Sequence, residues 1–250
     1  MPHDPTNLGY RGNADQSTSS HTDGEMLPDP LPSDPFPLFH TWFDAAQKRK
    51  DQPNPSALTL ATVDPSGRPS ARIVLCKGMD LASGHIVFYT NEHGRKGREL
   101  LATHRASAVF HWDHQDRQVR IEGPVVRSSA AESEAYFASR PWLSRIGAWS
   151  SDQSEPIATR AALEAKLEAT MRRFGLDPAH PPERHAIVNI PRPPHWGGFR
   201  LHAERIEFWC AGAGRLHDRA AWTRTLLPEP ITVPTTYLAS SPWSHTRLQP

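Results

Sequence analysis

Two runs rich in β-branched and aromatic residues, Ile73–Leu75 and Ile86–Tyr89, flank a turn-rich segment from Asp80 to Gly84. Strand formers on both sides of turn residues are the signature of an antiparallel hairpin. That commits the middle of the chain to sheet, and the flanking sequence extends it. Ala57–Val63 reads as a strand, and Asp64-Pro65-Ser66-Gly67 suits a type I turn. Arg68–Lys77 then returns as the second strand of a meander. Ala106–Trp112 and Arg117–Val126 form a further hairpin, in which Gln118, Arg120 and Glu122 alternate with Val119 and Ile121. Such alternation means one polar and one buried face. Trp196–Leu201, Arg205–Cys210 and Arg215–Arg219 are also strand-like, with Gly212 and Gly214 before the last.

Helices punctuate this pattern. The first begins at Asp34-Pro35, an acidic N-cap and a first-turn proline, and puts Phe39, Trp42, Phe43 and Ala46 on one face. A short helix follows Lys96. Ser129–Glu132 is a capping box opening a helix that runs to about Arg140 and stops at Pro141. A long helix spans about Ile157 to Phe174, with Leu163, Leu167, Met171 and Phe174 as a core stripe. Meandering strands with helices outside predict a mainly antiparallel α+β domain built on a small barrel. Residues 1–33 are too polar to fold alone and read as a flexible amino-terminal segment, either a tail or a strap. Residues 34–250 read as one domain, with proline-rich loops at 177–194 and 226–242.

The charge balance excludes some functions. With 28 basic and 27 acidic residues there is no global field for nucleic acid, so any anion site is local. Cys76 and Cys210 lie far apart, in neither a metal nor a disulfide pattern, which fits a reducing compartment. No apolar run is long enough to span a bilayer, and a soluble cytoplasmic protein is expected. The fourteen histidines include His111 and His114 but no recognised ligand spacing, so no metal is expected.

Two groups of residues suit anions. Arg72, Lys77, Arg95 and Lys96 are brought together by the hairpin and the start of a helix. Guanidinium forks and free helix N–H groups both suit phosphate. Spacing alone equally allows charges that protect a sheet edge. Tyr136 and Arg140, four apart on one helix face, can converge with Ser144 on a second anion. A tyrosine packed on an arginine stem at the surface is the alternative.

The order of motifs R-I-V-L-C-K, F-Y-T-N-x-x-G-R-K, R-Q-V-R-I-E-G, Y-F-A-S-R-P-x-x-S-x-I-G-A-W, Q-S, W-G-G-F, I-E-F-W, R-L-H-D-R and R-L-Q-P resembles the pyridoxine (pyridoxamine) 5′-phosphate oxidases. Those are FMN enzymes of the split-barrel fold. The resemblance covers about residues 34–219 and the last few. It implies that Arg72, Tyr89, Thr90, Arg95 and Lys96 hold FMN, with backbone from Arg72 through Ile73, Val74, Leu75 and Cys76 to Lys77 lining the site. Gln118, Gln153, Ser154, Trp209 and Arg219 complete it. Lys77, Tyr136, Arg140 and Ser144 would bind the substrate phosphate. Arg215 and His217 would sit over the pyridine ring as the catalytic pair. A homodimer with its site between subunits is implied, as is O2 as acceptor with release of hydrogen peroxide.

Departures and rivals accompany this resemblance. In the family an amino-terminal segment with Arg and Tyr covers the substrate; here the candidates, Tyr10 and Arg11, lie further upstream. The loops at 177–194 and 226–242 also depart from the pattern. Rival readings are an FMN-dependent oxidase of another planar reduced substrate, such as a dihydrophenazine, and a non-catalytic module that binds flavin or pyridoxal phosphate. Lys77, Tyr136, Arg140, Ser144, Arg215 and His217 together favour the vitamin B6 reaction.

Overall fold

The computed structural model describes residues 26–230 and 236–250. In chain order the elements are α1 (Phe36–Arg49), β1 (Ala57–Val63), β2 (Pro69–Leu75), β3 (Gly78–Asp80), β4 (His85–Asn91) and α2 (Arg95–Thr103). Then come β5 (Arg105–Trp112), β6 (Arg117–Arg127), α3 (Ala130–Ser139), α4 (Trp142–Ser150) and α5 (Arg160–Arg173). The chain ends with β7 (Trp196–His202), β8 (Arg205–Cys210), β9 (Asp218–Thr223), β10 (Leu226–Pro228), β11 (Tyr237–Ala239) and β12 (Ser244–Leu248). Among the described residues no helix is long and apolar enough to cross a membrane.

Every pairing in the main sheet is antiparallel, and β6 is its hinge. Its first half pairs with β8 and its last residues, Val125–Arg127, pair with β7, while β5 lies on its other side. β7 pairs with β4, β4 with β3, and β5 with β1, which pairs with β2. Because β2 runs directly into β3, the strands return on themselves as a split barrel. The crossing is at Cys76–Lys77: Cys76 N–H donates to Ser56 O at 2.9 Å, and Lys77 N–H to Val87 O at 2.8 Å.

That crossing corrects the expected hairpin. Ile73–Leu75 pairs with β1, and β4 takes its hairpin partner from Gly78–Asp80. The β-formers run almost without a break through the switch, so the change of partner leaves no local signal. The barrel interior is aromatic. Phe39 of α1 packs 5.2 Å from Phe110, and Trp42 packs 5.0 Å from Phe208, centroid to centroid. Val119 and Ile121 are fully buried, as the alternation in β6 requires.

Further expectations shift. α4 is a full helix that the sequence pattern does not mark, because it is short and begins directly after Pro141. Arg140 is the C-cap of α3 with extended backbone, so it leaves the helix face shared with Tyr136. The long helix starts at Arg160, where Thr159 caps it through Ala162 N–H; Ile157 lies outside, exposed. Three of its four stripe residues, Leu167, Met171 and Phe174, pack in a satellite core with Trp142 and Ile146 of α4, whereas Leu163 is not part of that cluster. Arg215–His217 is a turn rather than strand, since Gly214 and Arg215 both take positive φ. Leu27 is buried, its N–H donates to Asp218 at 2.9 Å, and Pro32 O accepts from the Trp222 indole. The segment from Leu27 therefore behaves as a strap. Tyr10 and Arg11 lie outside the described residues.

Candidate functional site

The open end of the barrel, where β2, the end of β4 and the start of α2 meet α3 and α4, holds a cavity of about 560 Å³. Arg72, Ile73, Val74, Leu75, Lys77, Tyr89, Thr90, Lys96 and Gln153 line one part of it; Tyr136, Arg140 and Ser144 line another. Apart from Arg95, the two anion-suited groups of the sequence thus share one space.

Its cationic side is held by a buried acid. Glu99 of α2 accepts from Thr62, from Arg95 Nε at 2.7 Å and from Arg72 Nη2 at 3.3 Å. Arg72 also donates to Leu60 O at 3.2 Å and to Thr62 and Ser70. Its guanidinium is therefore fixed in orientation. Lys96 Nζ donates to Gln153 Oε1 at 2.6 Å and Thr90 Oγ1 at 3.1 Å, which leaves one of its three N–H bonds to spare. Burial and then the Arg72 charge lower the Lys96 pKa, a cost that a bound anion would relieve. α2 begins beside them at Gly94 with no side-chain cap, so its free N–H groups add to the field.

The other side is a ladder of rings. Tyr136 stacks on Tyr89 at 4.1 Å, Tyr89 on Trp196 at 5.4 Å, and the Arg140 guanidinium lies 4.9 Å over the Trp196 ring. Gly198 makes the ladder fit: a Cβ there would lie 2.7 Å from Tyr89 Cε1 and 2.6 Å from Ser128 Oγ. Burial raises the Tyr89 pKa, with Glu132 and Tyr136 adding to it, so the phenol stays neutral.

The remaining sequence-predicted residues are placed elsewhere. The Cys76 thiol is buried against Gly78 O, and burial pushes its pKa up to about 11, which makes it inert as a nucleophile. Arg95 is half-exposed with its Nε on the buried Glu99 and does not line the cavity, and Ser154 follows Gln153 with φ 75°. Gln118, Trp209 and Arg219 are side by side across β6, β8 and β9. Three strand positions separate β6 from β2, on the order of 14 Å measured along the sheet. Arg219 donates to Glu207 Oε1 at 2.7 Å and to Gln249 O at 2.8 Å. The His217 ring lies 4.7 Å from Trp209, and its Nδ1 accepts from Gly212 N–H at 3.2 Å. Arg215 stands in the turn beside them. One chain therefore presents two separate clusters.

Glu99, Thr62 and Trp196 were not singled out by sequence. The Arg95–Glu99 spacing of four was the available signal, but it reads as a solvated helix pair until α2 is packed over β1. Among the described residues no group of three or more His, Cys, Asp or Glu is arranged to hold a metal ion.

Residues 45–171 match the family described as pyridoxamine 5′-phosphate oxidase, and residues 196–250 match the pyridoxine 5′-phosphate oxidase C-terminal dimerisation region. The second match supports a homodimer. The chain is 51% identical over 191 residues to a pyridoxine/pyridoxamine 5′-phosphate oxidase of Paraburkholderia phytofirmans, covering 76% of this chain and 83% of that one. It is 48% identical over 217 residues to the protein of that description from Burkholderia lata, covering 87% and 89%. Among solved structures, PhzG from Burkholderia lata 383, in complex with tetrahydrophenazine-1-carboxylic acid, is similar with TM-score 0.73 and 30% identity. That match covers 89% of this chain and 95% of PhzG. A pyridoxamine 5′-phosphate oxidase-related, FMN-binding protein from Nostoc punctiforme, 16% identical with TM-score 0.61 over 86% of this chain and 97% of that one, shares the fold.

Proposed function

Because this chain belongs to the pyridoxamine 5′-phosphate oxidase family, we propose that it oxidises pyridoxine or pyridoxamine 5′-phosphate to pyridoxal 5′-phosphate. FMN is the cofactor in this reading, and O2 the acceptor, with hydrogen peroxide released. The observation that carries it is one cavity furnished with two sets of phosphate donors, Arg72 with Lys96 and Lys77 with Arg140. A reaction between two phosphorylated partners needs both.

The residues fit FMN by their donor chemistry. Lys96 has an N–H to spare, Arg72 is locked beside it by Glu99, and the uncapped start of α2 faces the same anion. Thr90 and Gln153 position the ammonium and offer polar atoms to a ribityl chain. The chemistry FMN would supply there when bound is that of a hydride acceptor for the substrate's C4′ carbon.

The chain's own contribution is alignment. Lys77, Tyr136, Arg140 and Ser144 grip the substrate phosphate at one end of the cavity. Arg215 and His217 reach the pyridine ring from the partner subunit, since in one chain they stand apart from that cavity. With His217 Nδ1 accepting from Gly212, the proton of the neutral ring sits on Nε2, which is the nitrogen left to donate.

The likeness to PhzG favours a second reading, oxidation of a reduced phenazine. One experiment separates the two. Purified yellow protein is mixed anaerobically with pyridoxine 5′-phosphate, and the visible flavin band is followed. Bleaching is expected; a band that stays oxidised would remove the vitamin B6 reading and leave the phenazine-type one.

A further inference from the structure

β8 turns Ile206, Phe208 and Cys210 into the barrel core and Arg205, Glu207 and Trp209 onto the opposite face. An acid on such a face is ordinarily solvated, yet Glu207 is only 3% exposed. Arginines cover it. Its Oε2 accepts from Arg205 Nη2 at 3.4 Å and from Arg120 Nη1 at 3.5 Å. Its Oε1 accepts from Arg219 twice, from Nη2 at 2.7 Å and from Nε at 3.2 Å. Of the three arginines, Arg219 is the one held closely.

The strand register explains the contact. Arg219 stands opposite Trp209, and Ala221 stands opposite Glu207. Glu207 therefore meets Arg219 on the diagonal, where a long side chain reaches, and the methyl group of Ala221 leaves the way open. From the other side, Arg219 Nη1 donates to Gln249 O, just past β12. The guanidinium is thus gripped at all three nitrogens. Among the described residues, one N–H on Nη1 and one on Nη2 are left to spare. Stability alone does not call for this arrangement. A carboxylate withdrawn from water among guanidiniums roughly recovers its desolvation cost, and apolar residues often serve such a position as well. What the buried acid adds is a fixed direction for Arg219, as Glu99 does for Arg72 in the other cluster.

We propose that Glu207 is a positioning residue for the cofactor, acting on FMN through the Arg219 guanidinium that it holds in place. This rests on the FMN reading above and on the assignment of Arg219 to that site. Arg120 and Arg205 serve Glu207 in turn, as the charges that keep it ionised and covered.

A double-mutant cycle on FMN affinity tests this. FMN-loaded, full-length wild type, Glu207→Gln, Arg219→Ala and the double variant would be diluted in series. The flavin fluorescence regained on release gives each dissociation constant. Glu207→Gln should weaken FMN about tenfold in the wild-type background and less than about twofold where Arg219 is already alanine, a coupling usual within one hydrogen-bond network. Glu207→Asp keeps the charge that Arg120 and Arg205 face but withdraws it from Arg219 by one methylene. It should show the same pattern, and it carries the test if Glu207→Gln does not fold. A merely structural role would lower the melting temperature and weaken FMN equally in both backgrounds, and that result would overturn the proposal. Glu207 variants that hold FMN as wild type does would overturn it too, and the flavin reading would stand if Arg219→Ala still weakened FMN. A wild type that retains no FMN would overturn both.

Discussion

Arg72 and Glu99 meet inside the open end of the barrel, with Nη2 3.3 Å from Oε2 and both side chains largely buried. A carboxylate at the centre of a phosphate-type cluster looks misplaced until its partners are counted. It also takes Arg95 and Thr62, so it fixes the orientation of the guanidinium that the resemblance assigns to FMN.

Glu99→Ala should therefore cost about 3 kcal/mol of stability, because it strands a mostly buried guanidinium. Burial raises the Glu99 pKa, but Thr62, Arg95 and Arg72 outweigh it and hold the carboxyl below its ordinary value of 4.5. A depressed carboxyl contributes stability that is present above 4.5 and is lost as pH falls through its folded value. Denaturant melts of wild type and variant should converge in that acid window. A difference that stays constant down through it would remove Glu99 from this role.

Gly198→Ala tests the ring ladder. The new Cβ would press on Tyr89 and Ser128, at 2.7 and 2.6 Å, so the Ser128 hydroxyl must turn away and the Tyr89 ring must shift within its stack. A loss of about 1–3 kcal/mol is expected, with changed tryptophan fluorescence as Tyr89 shifts against Trp196. Thermal melts that match wild type would show the ladder to be looser than its 5.4 Å spacing implies.

His202 is fully buried beside His85, at 4.8 Å between ring centroids, and neither of its ring nitrogens has a hydrogen-bond partner. Burial, with the His85, Arg200 and Arg224 charges adding to it, lowers its pKa to about 3. The unfolded chain protonates near 6.5, so stability is intact above that value and falls as pH drops from 6.5 toward 3. Relative to His202→Phe, wild type should lose stability at up to about 1.4 kcal/mol per pH unit in that window. Parallel curves for the two proteins would mean that His202 is not the group responsible.

Local rules carried well into this structure where they act over a few residues. The Ser129–Glu132 capping box forms with both reciprocal bonds, and Val119 and Ile121 are buried as their alternation requires. The change of partner at Cys76 was not legible, because it depends on which strand stands opposite. Glu99 was hidden for the same reason: its charge reads as surface until α2 is laid over β1. Residues 73–75 and 77, by contrast, line the cavity because they follow one another at the end of β2 and just past it.

The separation of the two clusters makes the sharpest prediction about the proposed site. Lys77 lines the cavity, whereas Arg215 lies in the turn before β9, with Gln118 and Trp209. If each site takes Lys77 from one subunit and Arg215 from the other, Lys77→Ala and Arg215→Ala damage different halves of it. Lys77→Ala should raise the KM for substrate, and Arg215→Ala should cut kcat, with flavin retained in both. Each alone should be poorly active. In a mixed dimer one site collects both substitutions and the other collects none. Co-refolding equal amounts should then restore about a quarter of wild-type activity, since random pairing makes half the dimers mixed and each has one intact site. Activity in the mixture no greater than the mean of the two variants would show that Lys77 and Arg215 serve a site within one chain, or no common site at all.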